Sequence, residues 1–69
     1  MTRQELDAIY ADTQKRFPQP HKTKQCRLVL ILMDSDEFSN NYCGALDEVL
    51  REYPETNREE LERELDIYV

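Results

Sequence analysis

Hydrophobic positions recur at helical spacing in three segments of the chain, residues 2–17, 36–53 and 57–68. Steps of three and four residues place the apolar side chains of each segment on one face of an α-helix. We therefore predict three amphipathic helices, the last with a narrow apolar face that lies on the outside of the core. The apolar stripes consist of Leu6, Ile9, Tyr10, Thr13 and Phe17, then Phe38, Tyr42, Leu46, Val49, Leu50 and Tyr53, and finally Leu61, Leu65 and Tyr68.

Polar residues mark where the first and last of these helices begin. Thr2 with Glu5, and Thr56 with Glu59, have the spacing of a capping box, in which two side chains satisfy backbone N–H groups of the first turn. A proline follows each of the first two helical segments and stops it.

The start of the second helix is less sharply marked. Ser35 or Asp36 is the predicted cap, and Ser39 is a later alternative. Gly44 weakens this helix by roughly 1 kcal/mol relative to alanine. It also belongs to a run of small residues, 43–45, where we expect that another helix can approach closely.

Residues 26–33 form an apolar run that only Arg27 interrupts. The leucines of this run favour a helix, whereas Val29 and Ile31 also suit a strand. Cations at its start and carboxylates after its end oppose the helix dipole by about 0.3–1 kcal/mol per charge. A lone buried strand costs more, because each unpaired backbone group costs roughly 1–3 kcal/mol and no second strand-like run is present. We therefore favour a helix over a strand.

These elements predict an all-α fold, a small bundle of three to four short helices around the central apolar segment, in one domain of residues 1–69. The alternative is an α+β fold in which residues 26–33 form a strand that pairs across a dimer. Because the segment is apolar all round and the neighbouring stripes are narrow, we expect part of it to meet a second copy in a homodimer. It is far shorter than the roughly 20 residues that cross a bilayer, so we expect no membrane partner.

Charge is distributed unevenly along the chain. Residues 1–33 carry six bases and three acids, and residues 34–69 carry twelve acids and three bases, for a net charge of -6. Nucleic-acid contacts need clustered lysine and arginine. The single basic patch, residues 21–27, lacks interleaved aromatic residues, and we therefore expect no direct nucleic-acid binding.

Few residues offer catalytic or metal chemistry. One glycine is too few for a phosphate-binding loop. The spacing of His21, Cys26 and Cys43 matches no zinc pattern, and both cysteines fall on apolar faces, where a thiol stays protonated. A calcium loop from Asp34 would need glycine at its sixth position and glutamate at its twelfth, where this chain has serine and alanine. We expect no enzyme, no metal or other cofactor, and a reducing, cytoplasmic location.

Binding is the remaining interpretation. We expect a small acidic regulatory or adaptor protein that binds a protein partner through a helical surface. Tyrosine is enriched at protein interfaces, which makes Tyr10, Tyr53 and Tyr68 candidate exposed anchors, although core or rim packing explains them equally well.

Acidic residues are dense along residues 52–66 and include Glu59, Glu60 and Glu64. A rigid helical array of carboxylates can imitate the phosphates of a duplex and bind by electrostatic steering. The alternative function is therefore a DNA-mimicking inhibitor of a nucleic-acid-binding protein, and the composition resembles that of small acidic phage and plasmid inhibitors. A further alternative is a structural subunit of a homo-oligomer.

Overall fold

Four α-helices are present in a computed structural model of the chain, which describes residues 1–19, 23–39 and 41–68 apart from the side chain of Tyr68. They are α1 (Arg3–Arg16), α2 (Lys24–Met33), α3 (Tyr42–Glu52) and α4 (Arg58–Tyr68). No strand occurs in these ranges. The Cα radius of gyration is 11.0 Å, which is the size of a folded domain of this length. The predicted all-α bundle is confirmed, and the strand alternative for residues 26–33 is wrong.

Helix α2 lies at the centre and contacts each of the other three helices. Its Leu28 and Val29 are fully buried, whereas Leu30 and Ile31 are only partly buried. Most of the central segment is therefore covered by this chain, and part of the surface of Leu30 and Ile31 stays exposed. The buried apolar residues are Leu6, Cys26, Leu28, Val29, Leu32, Ala45, Leu46, Val49, Tyr53, Leu61 and Leu65.

Two polar side chains satisfy the N-terminus of α2. The hydroxyl of Thr23 accepts a hydrogen bond from the backbone N–H of Cys26 at 3.3 Å. One carboxylate oxygen of Glu64, on α4, accepts from the backbone N–H and the hydroxyl of Thr23, at 3.1 and 2.8 Å. A negative charge at this end favours the helix dipole. Glu64 therefore offsets the reversed order of charges that argued against a helix here.

Helix α1 begins as predicted. The Thr2 hydroxyl accepts from the backbone N–H of Glu5, and the Glu5 carboxylate accepts from the backbone N–H of Thr2, each at 3.1 Å. The last residue of the predicted stripe, however, does not enter the core, because Phe17 lies beyond the last helical residue and is 67% exposed.

The start of α3 differs from the prediction, because the helix begins at Tyr42 rather than at residue 36. The side chain and the backbone N–H of Ser35 both bond to the Leu32 carbonyl, so Ser35 completes the end of α2. Ser39 has a φ of 38°, in the left-handed region, which prevents a continuous helix from residue 36. The cap is Asn41, whose side-chain amide oxygen accepts a hydrogen bond from the backbone N–H of Gly44 at 3.0 Å.

Gly44 is explained by this cap rather than by a neighbouring helix. A Cβ atom at position 44 would lie 2.6 Å from the side-chain nitrogen of Asn41 and 2.9 Å from its Cγ. A side chain at position 44 would therefore displace the group that caps the helix.

The start of α4 also differs from the predicted capping box. The side-chain oxygen of Asn57 accepts from the backbone N–H of Glu60 at 3.0 Å, so Asn57 caps this helix. The Thr56 hydroxyl is instead buried and has no hydrogen-bond partner in the part of the chain that the structure describes. Thr56 and Asn57 are both favoured cap residues, so the sequence alone allowed either one, and the structure shows that Asn57 is the cap.

Substitutions at the start of α4 separate the two assignments of its cap. Asn57→Ala should lower the free energy of unfolding by about 1 kcal/mol, because it removes the cap. Thr56→Val, the matched variant, should leave this free energy unchanged or raise it, because the buried hydroxyl has no partner to lose. Urea unfolding followed by circular dichroism measures both values. A larger loss for Thr56→Val than for Asn57→Ala would restore the capping box predicted from the sequence.

Candidate protein-interaction surfaces

The outer face of α4 is formed by Glu59, Glu60, Arg63, Asp66 and Ile67, all of which are exposed. Ile67 is 76% exposed, and it and Phe17 are the two large apolar side chains that are exposed among the described residues. Neither Glu59 nor Glu60 forms an ion pair through its side chain with any residue that the structure describes. This face therefore combines unpaired carboxylates with an apolar side chain.

Other acids of the 52–66 run bond within the chain. Glu55 binds Arg3 at 2.6 Å, Glu62 binds Arg58 at 3.4 Å, and Glu64 accepts hydrogen bonds from Thr23, the cap of α2. The sequence grouped Glu64 with Glu59 and Glu60, but the structure gives it a separate structural role. The face available to a partner is therefore smaller than the acidic composition indicated.

An open notch of about 290 Å³ lies between the start of α2 and the start of α4, next to this face. Its lining includes Leu61, the orphaned Thr56 hydroxyl, and the carboxylates of Glu55, Glu60 and Glu64. Glu60 belongs both to the notch and to the outer face of α4. The other two carboxylates of the notch, Glu55 and Glu64, bond within the chain.

Tyr53 is not an exposed anchor, because only 1% of its surface is exposed and its side chain belongs to the core. Tyr10 is partly buried and packs against that core. The side chain of Tyr68 lies outside the described residues. The tyrosines therefore give no exposed aromatic anchor among the described side chains.

The buried ring of Tyr53 joins three parts of the fold. Its hydroxyl donates a hydrogen bond to a carboxylate oxygen of Asp7, on α1. The same carboxylate oxygen binds the ammonium group of Lys24, on α2, at 2.6 Å. The Arg3 guanidinium lies 4.5 Å from the centre of the Tyr53 ring, and the Lys24 ammonium lies 5.4 Å from it. Cations at these distances are attracted to the face of an aromatic ring.

Proton affinities in this cluster follow from its contacts. The hydrogen bond from Lys24, with a second from Tyr53, holds the pKa of Asp7 below its ordinary value. Burial, together with the hydrogen bond to Asp7, raises the pKa of Tyr53 to about 12. These shifts accompany contacts that hold α1, α2 and the end of α3 together, so the cluster is structural.

A second open surface lies between the C-terminal end of α1 and the outer side of α2. We call it the Phe17 groove, a groove of about 220 Å³. It is lined by Thr13, Phe17, Gln19, Arg27, Leu30, Ile31 and Asp34.

Arg27 is the unusual residue of this groove, since it is a cation with only 7% of its surface exposed. One terminal nitrogen of its guanidinium donates a hydrogen bond to the Phe17 carbonyl. Its Nε atom is buried and has no acceptor among the residues that the structure describes. No carboxylate in those ranges forms an ion pair with it. The Phe17 groove therefore contains a buried charge for which the described part of the chain supplies no counter-ion.

Among the described residues, the two cysteines considered for chemistry do not assemble into a site. Cys26 is buried, Cys43 is exposed, and no disulfide joins them. The expectation that Cys43 lies on an apolar face is therefore wrong. His21 lies outside the described residues. Within the described ranges, no three histidine, cysteine, aspartate or glutamate side chains are placed to hold a metal ion.

Comparisons with protein-family models, curated proteins and solved structures found no match for this chain. None of the described helices combines the length and the apolar character that a bilayer crossing requires. The interpretation of these surfaces therefore depends on their own geometry and chemistry.

Sequence reasoning missed the Phe17 groove and the isolated charge of Arg27. One signal was present, because Arg27 is the only charged residue inside the apolar run 26–33. Its proximity to Phe17 depends on how α1 packs across α2, which the periodicity of either segment does not specify.

High pH should test the environment of Tyr53. Its pKa is about 12 in the folded protein and 10.0 for an ordinary tyrosine. Between these values the folded state retains a proton that the unfolded state has lost, so the free energy of unfolding should fall as pH rises from 10 to 12. Urea unfolding across this range measures the slope, and phenolate absorbance reports the late titration.

Tyr53→Phe should remove the contribution of Tyr53 to the fall in the free energy of unfolding between pH 10 and 12, because phenylalanine has no proton to retain. Tyr10→Phe is the matched control, because it removes a tyrosine hydroxyl and leaves the hydrogen bond between Tyr53 and Asp7 in place. Equal slopes in the natural chain and in Tyr53→Phe would contradict the assigned role of the hydroxyl.

Proposed function

We propose that this chain is a small regulatory or adaptor protein that acts without catalysis, by binding a protein partner through the outer face of α4. The observation that carries the proposal is Ile67, which is 76% exposed beside the unpaired carboxylates of Glu59 and Glu60. An apolar contact with charges around it is the arrangement of a protein interface, whose centre is apolar and whose rim is polar.

The chemistry of this face specifies the kind of partner. Glu60 and Ile67 are separated by two helical turns and so lie on the same side of α4. A complementary surface presents an apolar pocket for Ile67 and lysine or arginine side chains for Glu59 and Glu60. Charge complementarity of this kind raises the rate of association and makes it depend on salt.

A DNA-mimicking inhibitor is the second candidate, in which that partner is a nucleic-acid-binding protein. The exposed carboxylates of Glu59, Glu60 and Asp66 on one rigid helix support it. Arg63 interrupts the array, and Glu64 bonds to Thr23. An adaptor needs only a local acidic surface and is therefore the first candidate.

A cytoplasmic location is part of the proposal. The two cysteines are not joined in a disulfide, and Cys43 is exposed. An exposed thiol stays reduced in a reducing compartment.

Charge reversal on α4 tests the proposed surface. We expect the natural chain, used as bait in an extract of its host, to retain a specific protein. Glu59→Lys combined with Glu60→Lys and Ile67→Ser should lose that protein, with a dissociation constant raised by about 100-fold or more. Titration of the purified partner, monitored by calorimetry at two salt concentrations, gives the constants.

A matched control keeps the change in net charge but leaves α4 intact. Asp36→Lys combined with Glu37→Lys changes two exposed acids outside that helix and should bind as the natural chain does. Glu64 stays unchanged in all variants because it bonds to Thr23, the cap of α2. Retention of the partner by the α4 variant, or its loss in the control, would contradict the proposed surface. A retained partner that does not bind nucleic acid would eliminate the DNA mimic and leave the adaptor.

A further inference from the structure

The stripe of α2 that lines the Phe17 groove has an internal symmetry. Arg27, Leu30, Ile31 and Asp34 follow each other at steps of three, one and three residues, so they share one side of the helix. The stripe reads cation, apolar, apolar, anion. Reversing its direction gives the same pattern with the two charges exchanged. A second α2 that runs antiparallel therefore places Asp34 opposite Arg27, and Ile31 opposite Leu30.

The buried charge of Arg27 needs such a carboxylate. The guanidinium has one hydrogen bond, to the Phe17 carbonyl, and no ion pair among the described residues. Burial of an unpaired charge is unfavourable, and a carboxylate restores the lost interactions. Asp34 of the same chain cannot reach it, because seven residues of helix separate them by about 10 Å. Asp34 of an antiparallel copy has no such restriction.

Among the described residues, the apolar side chains around the two charges are also not fully covered. Phe17 is 67% exposed at one wall of the Phe17 groove, and Leu30 and Ile31 are partly buried along it. These side chains would meet their counterparts across the two-fold axis. Side chains of a facing helix fill grooves of this kind when helix axes are about 8–10 Å apart.

We propose that the Phe17 groove is the interface of a two-fold homodimer, in which the two α2 helices run antiparallel and Arg27 of each copy pairs with Asp34 of the other. The same patch serves both copies, which is the property of a closed two-fold interface. The hydrogen bond to the Phe17 carbonyl holds the guanidinium in the groove. None of the groove residues lies on α4, so this interface goes beyond the proposed function and is tested separately from it.

Sedimentation equilibrium of the full chain over a range of concentrations, in a reducing buffer that prevents disulfides through Cys43, measures the dimer. We expect the natural chain to form a dimer. Asp34→Arg places like charges across the axis twice and should raise the dissociation constant by about 100-fold. Asp36→Arg, an exposed site outside the groove with the same change in charge, should leave the constant unchanged. A monomer at every concentration, or equal constants for the two variants, would overturn the proposal.

Exchange of the two charges gives a stricter test. Arg27→Glu and Asp34→Arg should each dimerise far more weakly than the natural chain. A mixture of the two should sediment as a heterodimer at concentrations where each alone is mostly monomeric, because opposite charges then meet at both contacts. Folded but non-associating mixtures would overturn the antiparallel pairing. If circular dichroism shows that Arg27→Glu does not fold, Ile31→Ser replaces it, and a dimer of Ile31→Ser as stable as the natural one would overturn the interface.

Discussion

The buried apolar side chains of α2 are kept out of water because α1, α3 and α4 each contact this helix. Each neighbour contributes its own apolar stripe, and the stripes meet on the central helix. Full burial of a leucine or valine side chain is worth about 1.5–3 kcal/mol, so these contacts supply much of the stability that a short chain can gather. The side chains that complete the cover come from Leu6, Ala45, Leu46, Val49, Leu61 and Leu65.

The polar residues at the start of α2 are held by contacts with the rest of the chain. Such contacts are needed because the helix dipole does not favour cations at this end. The cap residue and the two cations that follow it each bond to a different residue outside α2. Thr23 bonds to Glu64 on α4, Lys24 to Asp7 on α1, and Arg27 to the Phe17 carbonyl at the end of α1. These contacts fix how α1 and α4 are oriented around α2, and they leave the Phe17 groove and the outer face of α4 as two separate surfaces.

Periodicity predicted α1, α3 and α4, although α3 begins later than expected, because steps of three and four residues reflect the same burial that the structure shows. Helix α2 was predicted instead from the cost of a lone buried strand. The capping box of Thr2 was predictable because its partners are three residues apart. The caps of α3 and α4 were not, because several polar residues precede each helix and the tertiary structure selects one. The outer-face acids Glu59 and Glu60 were evident in the sequence, whereas the contact of Glu64 with Thr23 joins residues 41 positions apart and leaves no local signal.

Asn41 and Gly44 illustrate how a short contact restricts the sequences that this fold accepts. The amide of Asn41 occupies the space beside Gly44, 2.6 Å from where a Cβ atom would stand. Substitutions at positions 41 and 44 should therefore occur together rather than independently. Homologues that retain the asparagine should retain the glycine, and those that replace the glycine should begin α3 with a differently placed cap. The pair provides a marker by which distant relatives can be aligned.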